Sequence, residues 1–167
     1  NRIDSLCRAV TSVLNQDISS IQIGIVDDSD NDLTKKIIQL LGHIPSILII
    51  RNKEKHGASI ARNLGVSSSK GKYITFLDDD DIYLPGRLQR LLTKIALEKY
   101  IFVSSGRFYE EGDFNNIIIG SQQLQGDICL SDILNSNDID IGFMVRRDMF
   151  TSLGGFDTSL TNLEDWD

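Results

Sequence analysis

Cysteine and histidine are almost missing, with two of each in 167 residues. Cys7 and Cys129 lie far apart and form no CxxC, and neither joins His43 or His56 at a zinc-site spacing. A reduced, cytosolic chain is expected. No stretch of about 18 apolar residues occurs, and the N-terminus lacks the basic-then-apolar pattern of a signal peptide, so neither a transmembrane segment nor a leader is expected in this sequence. Cationic residues are short as well: 17 Lys and Arg face 24 Asp and Glu, for a net charge of −7, and no basic run breaks the balance. That argues against nucleic acid as a partner. Any phosphate the chain binds must be small and neutralised locally.

The common phosphate and calcium loops are absent too. Gly65 lies six residues before Gly71, one too many for GxxxxGK, and Tyr73 follows Lys72 where Ser or Thr is required. No GxGxxG occurs, so a dinucleotide site would lack its phosphate turn. Asp28, Asp30 and Asp32, like Asp78 and Asp80, have the spacing that opens a calcium loop. The glycine positions, however, hold Leu33 and Tyr83, and the twelfth positions hold Gln39 and Gln89. Neither is an EF-hand.

What is there is an alternation of strands and helices in a chain that is 41% hydrophobic, enough for one domain with a sizeable core. Leu6, Val10, Val13 and Leu14 give helical spacing over 4–14. Ile21, Ile23 and Ile25 alternate as a strand ending in Asp27-Asp28, and Leu33, Ile37, Ile38, Leu40 and Leu41 mark a helix closed by Gly42. ILII at 47–50 is a second strand, followed by a helix over 58–66 with Ile60, Ala61 and Leu64 turned inward. KYITF is a third strand. Pro85 is expected as the first residue of a long helix carrying Leu88, Leu91, Leu92 and Ile95 to about Lys99. Beyond it, IFVSS reads as a strand, 107–126 as a hairpin or excursion, 127–135 as a helix, IGFMVRR as a strand, and RDMFTSLGG as a short helix stopped by Gly154-Gly155. This repeat predicts an α/β fold with a Rossmann-like, mostly parallel central sheet flanked by helices, in which ligands gather beyond the carboxyl ends of the strands.

Asp27, Asp28, Asp78 and Asp80 all fall at such ends. In extended backbone Asp78 and Asp80 share one face while Asp79 takes the other. Four adjacent carboxylates, Asp78 to Asp81, repel one another unless positive charge compensates. A divalent ion held together with diphosphate oxygens is the usual compensator. For an acidic cluster alone, a solvated turn capping the next helix is the commoner outcome, and Asp81 is the candidate to order that loop or cap.

Four ordered blocks carry a family resemblance: IGIVDDSDND, HGASIARNLGVSSSKGKYITFLDDDDIYLPGRL, GFMVRRDMFTSLGGFD and LEDWD. Their order and spacing resemble the family 2 inverting glycosyltransferases with the GT-A fold. The resemblance implies that Asp28 contacts the nucleobase with Asp27 supporting it, and that Arg62 and Asn63, matching the family's ARN, lie near the nucleotide. By the same resemblance Gly57 permits close backbone approach. Asp78 and Asp80 match the family's DxD, and the resemblance implies Asp80 as the direct ligand for Mn2+ or Mg2+ and Asp78 as reaching the ribose or a metal-bound water. Asp79 replaces a small residue often found there, so which pair of the four acids binds metal stays open. Asp165, with Glu164 beside it, matches the family's base, and Gly154-Gly155-Phe156 would line the acceptor side.

The activity implied is metal-dependent, inverting transfer from a nucleotide-diphospho-sugar, with UDP favoured, to a saccharide or lipid-linked acceptor hydroxyl in polysaccharide and cell-envelope biosynthesis. The place implied is the cytoplasm or the inner face of the cell membrane, with peripheral association. The single domain spanning 1–167 reads as a catalytic-domain fragment without the family's first strand and its acceptor-side C-terminal part. Two other classes stay open: a metal-dependent phosphotransferase or phosphatase using a DxD aspartate, and a catalytically silent nucleotide-sugar-binding module.

Overall fold

Strands β1 (Ile23–Asp27) and β2 (Ile47–Arg51) lie side by side and parallel, with Ile23 opposite Ile47 and Asp27 opposite Arg51. Parallel neighbours need a crossover, and helix α2 (Thr34–Leu41) supplies it. The computed structural model describes residues 2–53, 57–97, 99–111, 116–119, 126–135, 139 and 141–160. Helix α1 (Arg2–Leu14) precedes β1. Its Ile3 and Val10, seven residues apart and so on one face, join Ile25 of β1 and Ile37 and Leu41 of α2 in one apolar cluster. Gly42 closes α2, but by close approach rather than a left-handed turn: its φ is −67°, and a Cβ there would sit 2.6 Å from the Ile38 carbonyl oxygen.

Helix α3 (Ala58–Ser68) packs across β1, and a Cβ on Gly65 would sit 3.3 Å from Val26 Cγ2. Its fully covered positions are Ser59 and Val66, two turns apart, whereas the expected Ile60, Ala61 and Leu64 are half-buried. The apolar pattern misplaced the inward line because a polar residue, Ser59, lies on it.

Strand β3 (Tyr73–Thr75) and a later two-residue strand, β4 (Phe102–Val103), do not touch each other. A hairpin of β5 (Phe108–Glu111) and β6 (Asn116–Ile119), then helix α5 (Leu130–Asn135), follow β4. The chain returns as β7 (Met144–Arg146), which inserts between β3 and β4 antiparallel to both and runs directly into α6 (Arg147–Ser152). Val145 of β7 packs with Ile74, Val66, Phe150 and Phe156, and Phe76 and Phe143 border that cluster. Arg147 fastens the end of α3 to this layer: its guanidinium donates to the carbonyls of Val66 (2.7 Å) and Gly71 (2.6 Å) and to Ser69 Oγ (2.7 Å). A cation there also suits the negative end of the helix.

Helix α4 (Arg87–Ile95) starts later and stops sooner than expected. Gly86, in the left-handed region at φ 74°, makes a turn with Pro85, so Pro85 is not the first helical residue. Gly86, at the N-cap position, has no side chain to cap the helix. Gln16, in the turn that follows α1, caps it from across the fold, its Oε1 accepting the Leu88 N–H (3.1 Å) while its Nε2 donates to the Leu84 carbonyl (3.1 Å). Asp81, expected to order the loop or cap the helix, closes the turn of that loop through its N–H on the Asp78 carbonyl (3.2 Å). Leu88, Leu91 and Ile95, at i, i+3 and i+7, are buried with Met144. Ile95 is wholly covered, which stabilises by about 2 kcal/mol.

Candidate functional site

The site begins where β1 ends. Asp27 is only 5% exposed. Its Oδ1 accepts the Ser29 hydroxyl and the Ser29 N–H (3.2 Å), its Oδ2 accepts the Thr34 hydroxyl (2.8 Å), and Arg51 Nη1 lies 3.2 Å from Oδ1. Burial pushes this carboxyl up, but the hydrogen bonds from Ser29 and Thr34 and the charge of Arg51 together outweigh it and hold Asp27 below the usual carboxylate range. Asp27 therefore ties the 29–34 loop and Arg51 into the strand end.

Asp28 leaves the strand and is gripped at both oxygens. Asn52 Nδ2 donates to Oδ1 (2.7 Å) and the Gly57 N–H to Oδ2 (2.8 Å). Gly57 can aim its N–H this way because its φ of 139° is open to glycine and strained for other residues. Asn52 is 5% exposed and was missed by sequence reasoning. A signal existed: β1 and β2 both end in polar pairs, Asp27-Asp28 and Arg51-Asn52, and the parallel register sets the first members opposite each other.

Strand β3 stops at Thr75, so the acids do not continue an extended strand. The run folds as a turn closed by the Asp81 N–H on the Asp78 carbonyl (3.2 Å). Asp78 and Asp79 still part company as alternation predicts. Asp78 Oδ1 accepts Arg62 Nη2 of α3 at 3.0 Å, and Asp79 accepts Arg2 of α1 at 2.6 and 3.4 Å. Two guanidiniums thus offset the repulsion of the run, and the part played by Arg2 was not predicted. Asp80 is exposed, and among the described residues no hydrogen bond or ion pair engages it.

Helix α3 links the two acidic ends. Gly57 at its start holds Asp28 and Arg62 holds Asp78, five residues or about 8 Å along the helix axis. Arg62 also lies over the Phe156 ring, 5.8 Å from its centroid. Asn63 turns the other way: its Nδ2 donates to the Phe156 carbonyl (2.8 Å) and its Oδ1 accepts the Phe156 N–H (3.0 Å). Glu164 and Asp165 lie outside the described residues.

As a donor set for a cation, Asp78 and Asp80 offer hard carboxylate oxygens, and Asp78 is 46% exposed. No group of three or more His, Cys, Asp or Glu among the described residues converges as a metal site. Hard carboxylates of this kind suit a magnesium- or manganese-type ion that keeps several waters, and they do not make an all-protein cage.

Fold and site together define an α/β domain of GT-A type with acidic residues gathered at its strand ends. The chain belongs to Glycosyl transferase family 2, whose pattern matches residues 1–154. An uncharacterised glycosyltransferase of Haemophilus influenzae is 29% identical over the whole chain, which spans 57% of that protein. The chain is 36% identical to WfaP of Escherichia coli, a UDP-Glc:alpha-D-GlcNAc-diphosphoundecaprenol beta-1,3-glucosyltransferase, over 66% of its own length and 43% of that protein's. It is 33% identical to a GalNAc(5)-diNAcBac-PP-undecaprenol beta-1,3-glucosyltransferase of Campylobacter jejuni, over 72% of the chain and 40% of the relative. The chain thus spans roughly half the length of these relatives. In shape it is similar to S. aureus TarS in complex with UDP (TM-score 0.71, 18% identity, 99% of this chain and 50% of that one). It is also similar to the mannosyltransferase PcManGT of Pyrobaculum calidifontis with GDP-Man and Mn2+ (TM-score 0.69, 15% identity, 97% and 46%).

Proposed function

We propose that this chain carries the donor-binding half of an inverting glycosyltransferase that moves a sugar from a UDP-sugar to a hydroxyl of a saccharide or lipid-linked acceptor. The observation that carries the reading is the bridging of Asp28 and Asp78 by one helix, which supports a base-reading acid at its start and a diphosphate-side acid further along. Relatives named for UDP-glucose and undecaprenol-linked acceptors support the donor and acceptor classes. Asp28, fixed by Asn52 and Gly57, accepts a hydrogen bond from the ring N–H of the base. Arg62 leaves Asp78 for the diphosphate oxygens. The acceptor oxygen attacks the anomeric carbon from the face opposite the diphosphate, the carbon–oxygen bond to the diphosphate breaks, and Asp165, with Glu164 beside it, takes the acceptor's proton. Mn2+ or Mg2+ held by Asp80 and Asp78 would supply positive charge for the departing diphosphate, so no acid need protonate it. No helix among the described residues is long and apolar enough to cross a membrane, and a lipid-linked acceptor would bring the chain to the inner face of the membrane as a peripheral protein.

The test is thermal: UDP with Mn2+ should raise the melting temperature more than the sum of either alone, and Asp80→Ala should abolish that synergy. Equal stabilisation of parent and Asp80→Ala would remove the cation from Asp80. No shift with any nucleotide diphosphate would overturn the donor class.

A further inference from the structure

We propose that Asn63 is a positioning residue for the transfer, a latch that sets where the chain after Phe156 leaves the core, and not a contact to the nucleotide. The inference rests on the glycosyl-transfer reading above. Three observations carry it. The Asn63 carboxamide pairs with both backbone groups of one residue, donating to the Phe156 carbonyl at 2.8 Å and accepting its N–H at 3.0 Å, a two-point contact that fixes orientation as well as distance. The turn is cut to admit it: a Cβ on Gly155 would sit 2.6 Å from Asn63 Oδ1 and 3.3 Å from Phe150 Cε1, and Gly155 lies at φ 76°. The latched residue is itself a junction. Phe156 is 7% exposed, its ring lies 5.3 Å from that of Phe76, two residues before Asp78, and the guanidinium that holds Asp78 lies over the same ring.

Asn63 and Arg62 are neighbours on α3 with divided labour. Arg62 faces the Asp run, and Asn63 fixes the backbone that follows the two glycines. In sequence, Glu164 and Asp165 come eight and nine residues after Phe156. A latch one residue from the diphosphate-side arginine therefore sets the origin from which the proton-accepting segment is measured. A shift of about an ångström at such an origin costs turnover while leaving donor contacts in place.

The experiment is a two-residue cycle with Asn63→Ala, Gly155→Ala and the double variant, together with donor kinetics in the full-length protein. Melting comes first: Gly155→Ala should lower the melting temperature markedly in the parent and clearly less in the Asn63→Ala background, where the clashing oxygen is gone. Additive losses would overturn the latch. The donor is then the nucleotide sugar giving the largest thermal shift with Mn2+, and release of its nucleotide with water as acceptor is followed. Asn63→Ala should lower kcat at least fivefold with the donor KM and the UDP–Mn2+ Kd within about twofold of the parent, and Asn63→Asp, which keeps the acceptor of the Phe156 N–H, should recover part of kcat. A parallel loss of UDP–Mn2+ affinity in Asn63→Ala, matching that in Asp28→Ala, would make Asn63 a nucleotide contact and overturn the proposal while the glycosyl-transfer reading stands. If no nucleotide sugar shifts the parent, both fall together.

Discussion

Arg62 and Asp78 form an ion pair at 3.0 Å between a guanidinium that is 15% exposed and a carboxylate that is 46% exposed. The pair occupies the place where a diphosphate and its cation are proposed to go, so nucleotide binding exchanges one partner of Arg62 for another.

Removing the guanidinium should then have opposite effects on two ligands. Arg62→Ala should bind Mn2+ alone about fivefold more tightly, since a competing half-exposed ion pair carries about 1 kcal/mol. It should bind UDP–Mn2+ at least tenfold more weakly, because a charge-assisted bond to phosphate is lost. Calorimetry with each ligand decides it, and a parallel change in both would leave the pair a structural contact.

The grip on Asp28 predicts a graded series in UDP affinity. Asp28→Ala should weaken UDP by about 1.5 to 3 kcal/mol, as for a hydrogen bond to a charged group, and Asn52→Ala by about 1 kcal/mol because the carboxylate remains but is held on one side only. Mn2+ affinity should be unchanged in both. Unaltered UDP binding in Asp28→Ala would return Asp28 to a turn residue.

Asp27 links stability to pH. Its folded-state pKa lies below the unfolded value of about 3.9, so its contribution is fully present above that value and is lost as the pH falls through the folded pKa. Below about pH 4 the melting temperature should fall, and Asp27→Asn should be less stable than the parent at about pH 6 yet depend less on pH in that acid window. Equal slopes in parent and variant would assign the acid sensitivity to other carboxylates.

For the proton acceptor, Asp165→Asn in the full-length protein should cut turnover by about 10²-fold or more with UDP and Mn2+ binding retained. Glu164→Gln should cost less. Parental turnover in Asp165→Asn, or loss of donor binding alone, would move the role to Glu164 or Asp167.

The sequence by itself determined the alternation of elements, the strand ends that carry acids, and the family, because hydrophobic period and local turn chemistry act over a few residues and are written in order along the chain. The β1–α2–β2 unit, the 107–126 hairpin and the short helix before Gly154-Gly155 were all legible in this way. Tertiary structure decided what each acid touches. Arg2 reaches Asp79 across 77 positions, Gln16 caps α4 across 72, Asn52 reaches Asp28 across 24, and Asn63 reaches Phe156 across 93. Apart from the polar pairs that end β1 and β2, no local pattern points to such partners. The antiparallel entry of β7 between β3 and β4 was likewise invisible, since period identifies a strand but not its neighbours or direction. A side chain's partner is set by where packing brings distant backbone together, and hydrogen bonds then form between whatever polar groups that packing would otherwise leave buried and unpaired.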